Sequence, residues 1–160
     1  MIGIVKPRLI FADEREEIVK RLRQAFDGCL ELTAVKLSPA QFRSLEGLDA
    51  LFLTLPYAER WGAKPILYKA QVLKTKGEDE GMPPYVIAGG AFHPDQIRDA
   101  RYELRQVIAS ALDSVEAFNR ENSEKILTVG FQTDIYDQLS PEEAGQIVRE
   151  IYEDRIRVAA

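Results

Sequence analysis

A three-layer α/β/α fold around a mixed, mostly parallel central sheet is predicted by three features of the chain. Extended apolar runs alternate with segments of helical periodicity along its length, the pattern of a layered α/β domain. One run, residues 48–55, is almost wholly apolar after Asp49, as a strand covered on both faces must be. Residues 99–119 place Leu104, Val107, Ile108, Ala111, Leu112, Val115 and Phe118 on one stripe, which predicts a long amphipathic helix. With 160 residues and no internal repeat or linker-like tract, residues 1–160 are expected to form a single domain. A chain of this size buries roughly 70% of its unfolded surface, enough to support a core without disulfides or a structural metal.

The elements follow in order. Leu9, Ile10 and Phe11 begin the first strand, and Asp13 with Glu16 three residues later fits a capping box opening a helix to about Phe26. Ile18, Leu22, Ala25 and Phe26 recur at helical spacing, and Asp27-Gly28 supplies the stop. Residues 30–37 favour a second strand ending at Ser38-Pro39. Ser38 with Gln41 fits another capping box, with proline at the first helical position, so a short helix is expected over residues 39–45. The strand at residues 48–55 should be central. Residues 57–84 give no clear element: 65–73 suit either a helix or a strand, and 74–84 read as a polar loop. There Lys69, Lys74 and Lys76 interleave with Glu78, Asp79 and Glu80, a solvated pattern. Residues 85–88 form a short buried strand ended by Gly89-Gly90, where the backbone can turn sharply or approach a ligand. After the long helix, residues 125–131 read as a strand. Ser140-Pro141-Glu142-Glu143 then opens a final helix whose inner face is Ala144, Ile147, Val148, Ile151 and Tyr152.

Composition narrows the function classes. A formal charge of -5 argues against tight nonspecific nucleic-acid binding, which depends on Lys and Arg displacing phosphate counterions. No uncharged apolar run approaches the roughly 20 residues needed to span a bilayer, so no membrane association is expected. Lys6, Pro7 and Arg8 interrupt the apolar N-terminus before a signal-peptide core can form, and a cytoplasmic location is expected. The single cysteine, Cys29, rules out an internal disulfide or a multi-cysteine zinc site and reads as a small buried apolar residue rather than a reactive thiol.

The raw material for catalysis is thin, and no catalytic residue, metal or cofactor is assigned. His93, the one histidine, follows Gly89-Gly90. It suits a general base or ligand-contacting group, and equally an exposed loop residue beside a helix start; no Ser or Cys nucleophile motif accompanies it. Asp13 stands where an acid could read a ribose, but no G-x-G-x-x-G loop precedes it, and capping is the simpler role. Tyr57 and Trp61 suit stacking on a flat ligand, and as easily a small satellite core.

The segment Leu127-Thr128-Val129-Gly130-Phe131-Gln132-Thr133-Asp134-Ile135-Tyr136, followed by Pro141-Glu142-Glu143-Ala144, resembles the last strand, phosphate loop and final helix of the macro domain family, which binds ADP-ribose. Leu48-Asp49-Ala50-Leu51-Phe52 resembles the strand leading into that family's asparagine-bearing loop, and Tyr85-Val86-Ile87-Ala88-Gly89-Gly90 its next core strand. The N-terminal strand, helix and second strand are similar to a macro-like bacterial and phage subgroup, so the resemblance covers nearly the whole chain. It implies a cleft at the C-terminal ends of the strands, with Gly89, Gly90, Thr133, Asp134, Ile135, Tyr136, Tyr57 and Trp61 as candidate ligand-binding residues.

The departures from the family pattern bear on function. Where the family reads adenine with an Asp-Ile pair, this chain has Lys36-Leu37. The ribose-contacting asparagine falls near Pro56, and the glycine-rich first phosphate loop is replaced by Tyr57-Ala58-Glu59-Arg60-Trp61-Gly62. The second loop keeps Thr133 and Tyr136 but carries Asp134 in place of the usual glycine, putting a negative charge toward a diphosphate. The resemblance and its departures together imply a noncatalytic binding module, its cleft repurposed for another nucleotide-like small molecule or a protein segment, or vestigial. Lys36 or Arg60 is then expected to offset Asp134. Two alternatives stand beside it. A hydrolase of ADP-ribose derivatives or other phosphoesters, with His93 or Asp134 as acid or base, predicts shifted pKa values and a ligand-sized pocket there. A structural or oligomerising subunit predicts a closed cleft and a large apolar surface patch.

Overall fold

Strands buried at nearly every position can lie only between two covering layers, and β1 (Arg8–Asp13) and β5 (Tyr85–Gly89) are of this kind. They belong to a computed structural model that describes residues 6–75, 81–91, 97–136 and 138–159. With β2 (Leu32–Lys36), β3 (Ala50–Thr54), β4 (Gln71–Lys74) and β6 (Thr128–Gln132) they form one sheet in the order β2-β1-β6-β3-β5-β4. Neighbours run parallel except β4, which is antiparallel to β5, so the sheet is mixed and mostly parallel. As expected from its apolar sequence, β3 is central, between β6 and β5.

Side-chain alternation gives the sheet two faces with different covers. Phe11, Phe52 and Phe131 stack across β1, β6 and β3 with successive ring centroids 5.0 and 5.4 Å apart. Over them lie Val19 and Leu22 of α1 (Glu16–Ala25), Leu104 and Ile108 of α3 (Ala100–Glu121), and Ile147 and Tyr152 of α4 (Pro141–Ala159). α4 packs against both α1 and α3. The opposite face has a thinner cover. Ile10 and Leu51 meet Phe42 of the short helix α2 (Pro39–Arg43), and Val86 and Ala88 meet Leu55 and Ala58 of a 3-10 helix, Leu55–Trp61.

One glycine sets how closely α2 approaches. A Cβ on Gly130 of β6 would sit 2.5 Å from Phe42 Cζ, so only glycine lets that ring lie flat on the strand. Burying the ring completely is worth about 2–3 kcal/mol, and it anchors a helix of five residues that could not hold its shape alone. The predicted capping box completes the anchor: Gln41 N–H donates to Ser38 Oγ at 3.2 Å and Ser38 N–H donates to Gln41 Oε1 at 2.9 Å.

Several expectations need correction. The box predicted from Asp13 and Glu16 does not form, because Asp13 still belongs to β1 and the N-cap of α1 is Arg15, which has no side-chain cap. The long helix begins one residue later than predicted, at Ala100, with Asp99 as a capping acceptor for the Arg101 and Tyr102 N–H groups. Residues 65–73 are not one element; a turn precedes the short strand β4. Cys29 is only half-buried, although burial, with Glu31 beside it, still raises its thiol pKa. His93, Lys76, Glu78, Asp79, Glu80 and the N-terminal residues 1–5 lie outside the described residues. Among the described residues no helix is long and apolar enough to cross a membrane.

Candidate functional site

Parallel strands that end at one edge leave a crevice where successive connections diverge in opposite directions. Here the chain moves outward from β1 to β2 on one side and from β3 to β5 and β4 on the other, with β6 between them. Two adjoining cavities open at the C-terminal ends of those strands, and Pro39, Gln132 and Asp134 line both.

The larger cavity measures about 870 Å³. Its walls are Arg43 and Ser44 at the end of α2, Leu53 and Thr54 of β3, Tyr57, Arg60 and Trp61 of the 3-10 helix, and Met82 before β5. Asp134 and Ile135, from the 3-10 turn Thr133–Tyr136 after β6, close it on the side toward β1. Trp61 packs against the Leu55 and Ala58 cluster, as a satellite core would have it, and also lines the cavity. Tyr57 lines the cavity without joining that cluster, at 75% exposure. The Arg60 guanidinium lies 4.5 Å from the centre of the Trp61 ring, a cation–π stack that orients both groups.

The smaller cavity, about 310 Å³, is bordered by Asp13, Glu14, Arg15, Leu37 and Thr133. Its centre is the Asp13 carboxylate, 8% exposed and well supplied with donors. Arg15 donates its backbone N–H to Oδ1 at 2.7 Å, its Nε–H to Oδ1 at 3.0 Å and an Nη–H to Oδ2 at 3.0 Å, and the Thr133 hydroxyl donates to Oδ2. Burial alone would raise the pKa of this acid. The bonds from Arg15 and Thr133 outweigh burial and hold it at about 2, so Asp13 is a fixed anion tying β1 to the turn after β6.

The candidate residues named from the sequence separate into two groups. Tyr57, Trp61, Asp134, Ile135 and Thr133 come together around the paired cavities. Tyr136 is 5% exposed, sits in the main core and borders neither cavity. Gly89 and Gly90 are buried away from both: Gly89 faces Phe52 and Ala70, and Gly90, at φ +81°, abuts Glu103 of α3. Glu103 accepts the Ala91 N–H at 3.0 Å, so this turn is filled by protein rather than left open to a ligand. Of the two cations expected to offset Asp134, Arg60 lines the cavity and Lys36 does not.

Sequence reasoning passed over Arg43 and Gln132. Arg43 ends the short helix α2, and Glu46 three residues on is an acid at helical spacing, so nothing local in the sequence marks Arg43 as unpaired. Gln132 ends a strand, and its Nε2 is buried without a hydrogen-bond partner among the described residues. No group of His, Cys, Asp or Glu among the described residues is placed to hold a metal ion. No protein-family model and no curated protein matches this chain, so the functional reading rests on the chemistry of the cleft.

Proposed function

We propose that the chain is a noncatalytic, macro-domain-like binding module of three-layer α/β/α build, whose cleft takes a small organic ligand other than ADP-ribose. The observation that carries this reading is the larger cavity. Its walls come from the loop after β3 and the turn after β6, the segments that resemble the two phosphate loops of a macro domain, and they meet at one opening. A volume of about 870 Å³ is in the range that holds a drug-sized ligand, and the lining of apolar surface with a few convergent polar groups is that of a binding site. A structural subunit needs no such opening.

Against ADP-ribose stand the side chains themselves. Asp134 borders both cavities and would set its charge against a diphosphate laid across the turn after β6. Trp61 and Tyr57 occupy the place of a glycine-rich loop, where backbone N–H groups would otherwise approach phosphate. Isothermal titration of the purified protein with ADP-ribose, with AMP as control, is expected to give no saturable heat at millimolar ligand. Saturable ADP-ribose binding that disappears in Tyr57→Ala would contradict the proposal.

A further inference from the structure

The polar groups facing the larger cavity are mostly donors, and two of them have no acceptor. Most arginines of the chain are occupied elsewhere: Arg21 with Glu142, Arg101 with Glu143, Arg120 with Glu116, Arg149 with Glu153. Arg23 donates to the Ala34 carbonyl at 2.8 Å. Arg43 has neither an ion pair nor a side-chain hydrogen bond among the described residues, yet it stands on the cavity wall. Its guanidinium offers five N–H donors and cannot shed its charge. An oxyanion can therefore pair with it without displacing a partner among the described residues.

The neighbouring groups select for the same kind of ligand. Gln132 hides an amide Nε2 that has no hydrogen-bond partner among the described residues, and a ligand acceptor met by rotation of that amide would relieve its cost. Stacking on Trp61 holds the Arg60 guanidinium at the cavity wall, where its positive charge adds to that of Arg43. Among the described residues, charges in the lining sum to one excess positive, Arg43 and Arg60 against Asp134, within a chain of formal charge -5. Tyr57 and Trp61 supply flat apolar surface beside those cations.

We infer that the cleft binds a small planar organic oxyanion, its carboxylate or phosphate monoester paired with Arg43 and its flat body against Tyr57 and Trp61. The inference rests on the reading of this cleft as a ligand site. A single anionic group matches the one excess positive charge, whereas a diphosphate brings a second negative charge toward Asp134.

Trp61 is the only tryptophan in the chain, so its indole N–H resonance reports occupancy of this cleft without ambiguity. The test titrates the intact protein with 4-aminobenzoate, 4-aminobenzamide and 4-aminobenzylamine, which share a ring and differ in charge, and then with phenyl phosphate and ADP-ribose. The expected result is a saturable shift with 4-aminobenzoate or phenyl phosphate, at an affinity at least about tenfold above the amide and the amine. Whichever of the two anions is tighter identifies the oxyanion. Arg43→Gln should abolish the preference while the circular dichroism spectrum and melting temperature stay as in the parent. Equal binding of the amide or amine would overturn the anion preference and leave the cleft a ligand site. A Trp61 resonance that none of these compounds moves would overturn both readings. ADP-ribose binding more tightly than either small anion would overturn the exclusion of a diphosphate.

Discussion

The two cavities share three residues and differ in how far the protein satisfies its own polar groups. Around Asp13 every donor at hand is used: Arg15 gives three hydrogen bonds, Thr133 gives one, and the carboxylate is locked in its charged form. Around Arg43 the donors outnumber the acceptors, and the Gln132 amide nitrogen is buried without a partner. A polar network closed on itself contributes to stability, whereas donors left open in a concavity contribute little until a ligand arrives. The small cavity is thus part of the scaffold, and the large one is where the proposed recognition would take place.

Four substitutions separate these roles, beginning with the packing beneath both. Phe42→Ala empties the contact with Gly130 and should cost about 3–5 kcal/mol in urea unfolding, with loss of cleft binding because α2 carries Arg43. A smaller effect would mean that α2 is held by something other than this ring.

Asp13→Ala removes the acceptor of the small cavity and should destabilise by about 2–3 kcal/mol. The same group gives stability a pH dependence. Folding lowers the Asp13 pKa from 3.8 to about 2, so its contribution is complete above pH 4 and is lost as pH falls toward 2. A series of thermal melts should show this loss, on the order of 2 kcal/mol, in the parent and not in Asp13→Ala. Identical acid sensitivity in the two proteins would remove Asp13 from the account.

Ser38→Ala removes the hydroxyl that accepts the Gln41 N–H, leaving the backbone half of the α2 capping box, and should cost about 1 kcal/mol, read as a small drop in urea midpoint. Arg43→Gln should change stability by no more than about 0.5 kcal/mol while altering ligand preference, the opposite of Asp13→Ala. A large destabilisation in Arg43→Gln would show that Arg43 is structural after all.

Much of this architecture was legible in the sequence, for a physical reason. The stripe from Leu104 to Phe118 and the apolar run through Leu51 and Phe52 are periodic signals set by burial, and burial decides the fold. β4 was not legible, because Gln71–Lys74 is an edge strand with half-exposed residues and no clear alternation. Asp13 misled because its spacing to Glu16 matches a capping box, whereas β1 runs on through Asp13 and its carboxylate is taken up by Arg15 and Thr133. At the cleft, Tyr57 and Trp61 stand out in the sequence as two aromatics in one loop, and Asp134 as a departure from the resembling family's pattern; all three line the larger cavity. Arg43 and Gln132 were not, since nothing local marks a side chain whose neighbours arrive from distant parts of the chain. Gly89 and Gly90 had the right composition for a ligand turn, but Ala70 and Glu103 fill the space beside them.

The contrast between a satisfied and an open half of the cleft is most directly tested by following the Nε–H resonances of Arg15 and Arg43 as 4-aminobenzoate is added. Arg15 should keep its shift throughout, its donors already committed to Asp13, while Arg43 should move saturably with the Trp61 indole signal. Movement of Arg15 with Arg43 unchanged would contradict the account and place recognition in the smaller cavity.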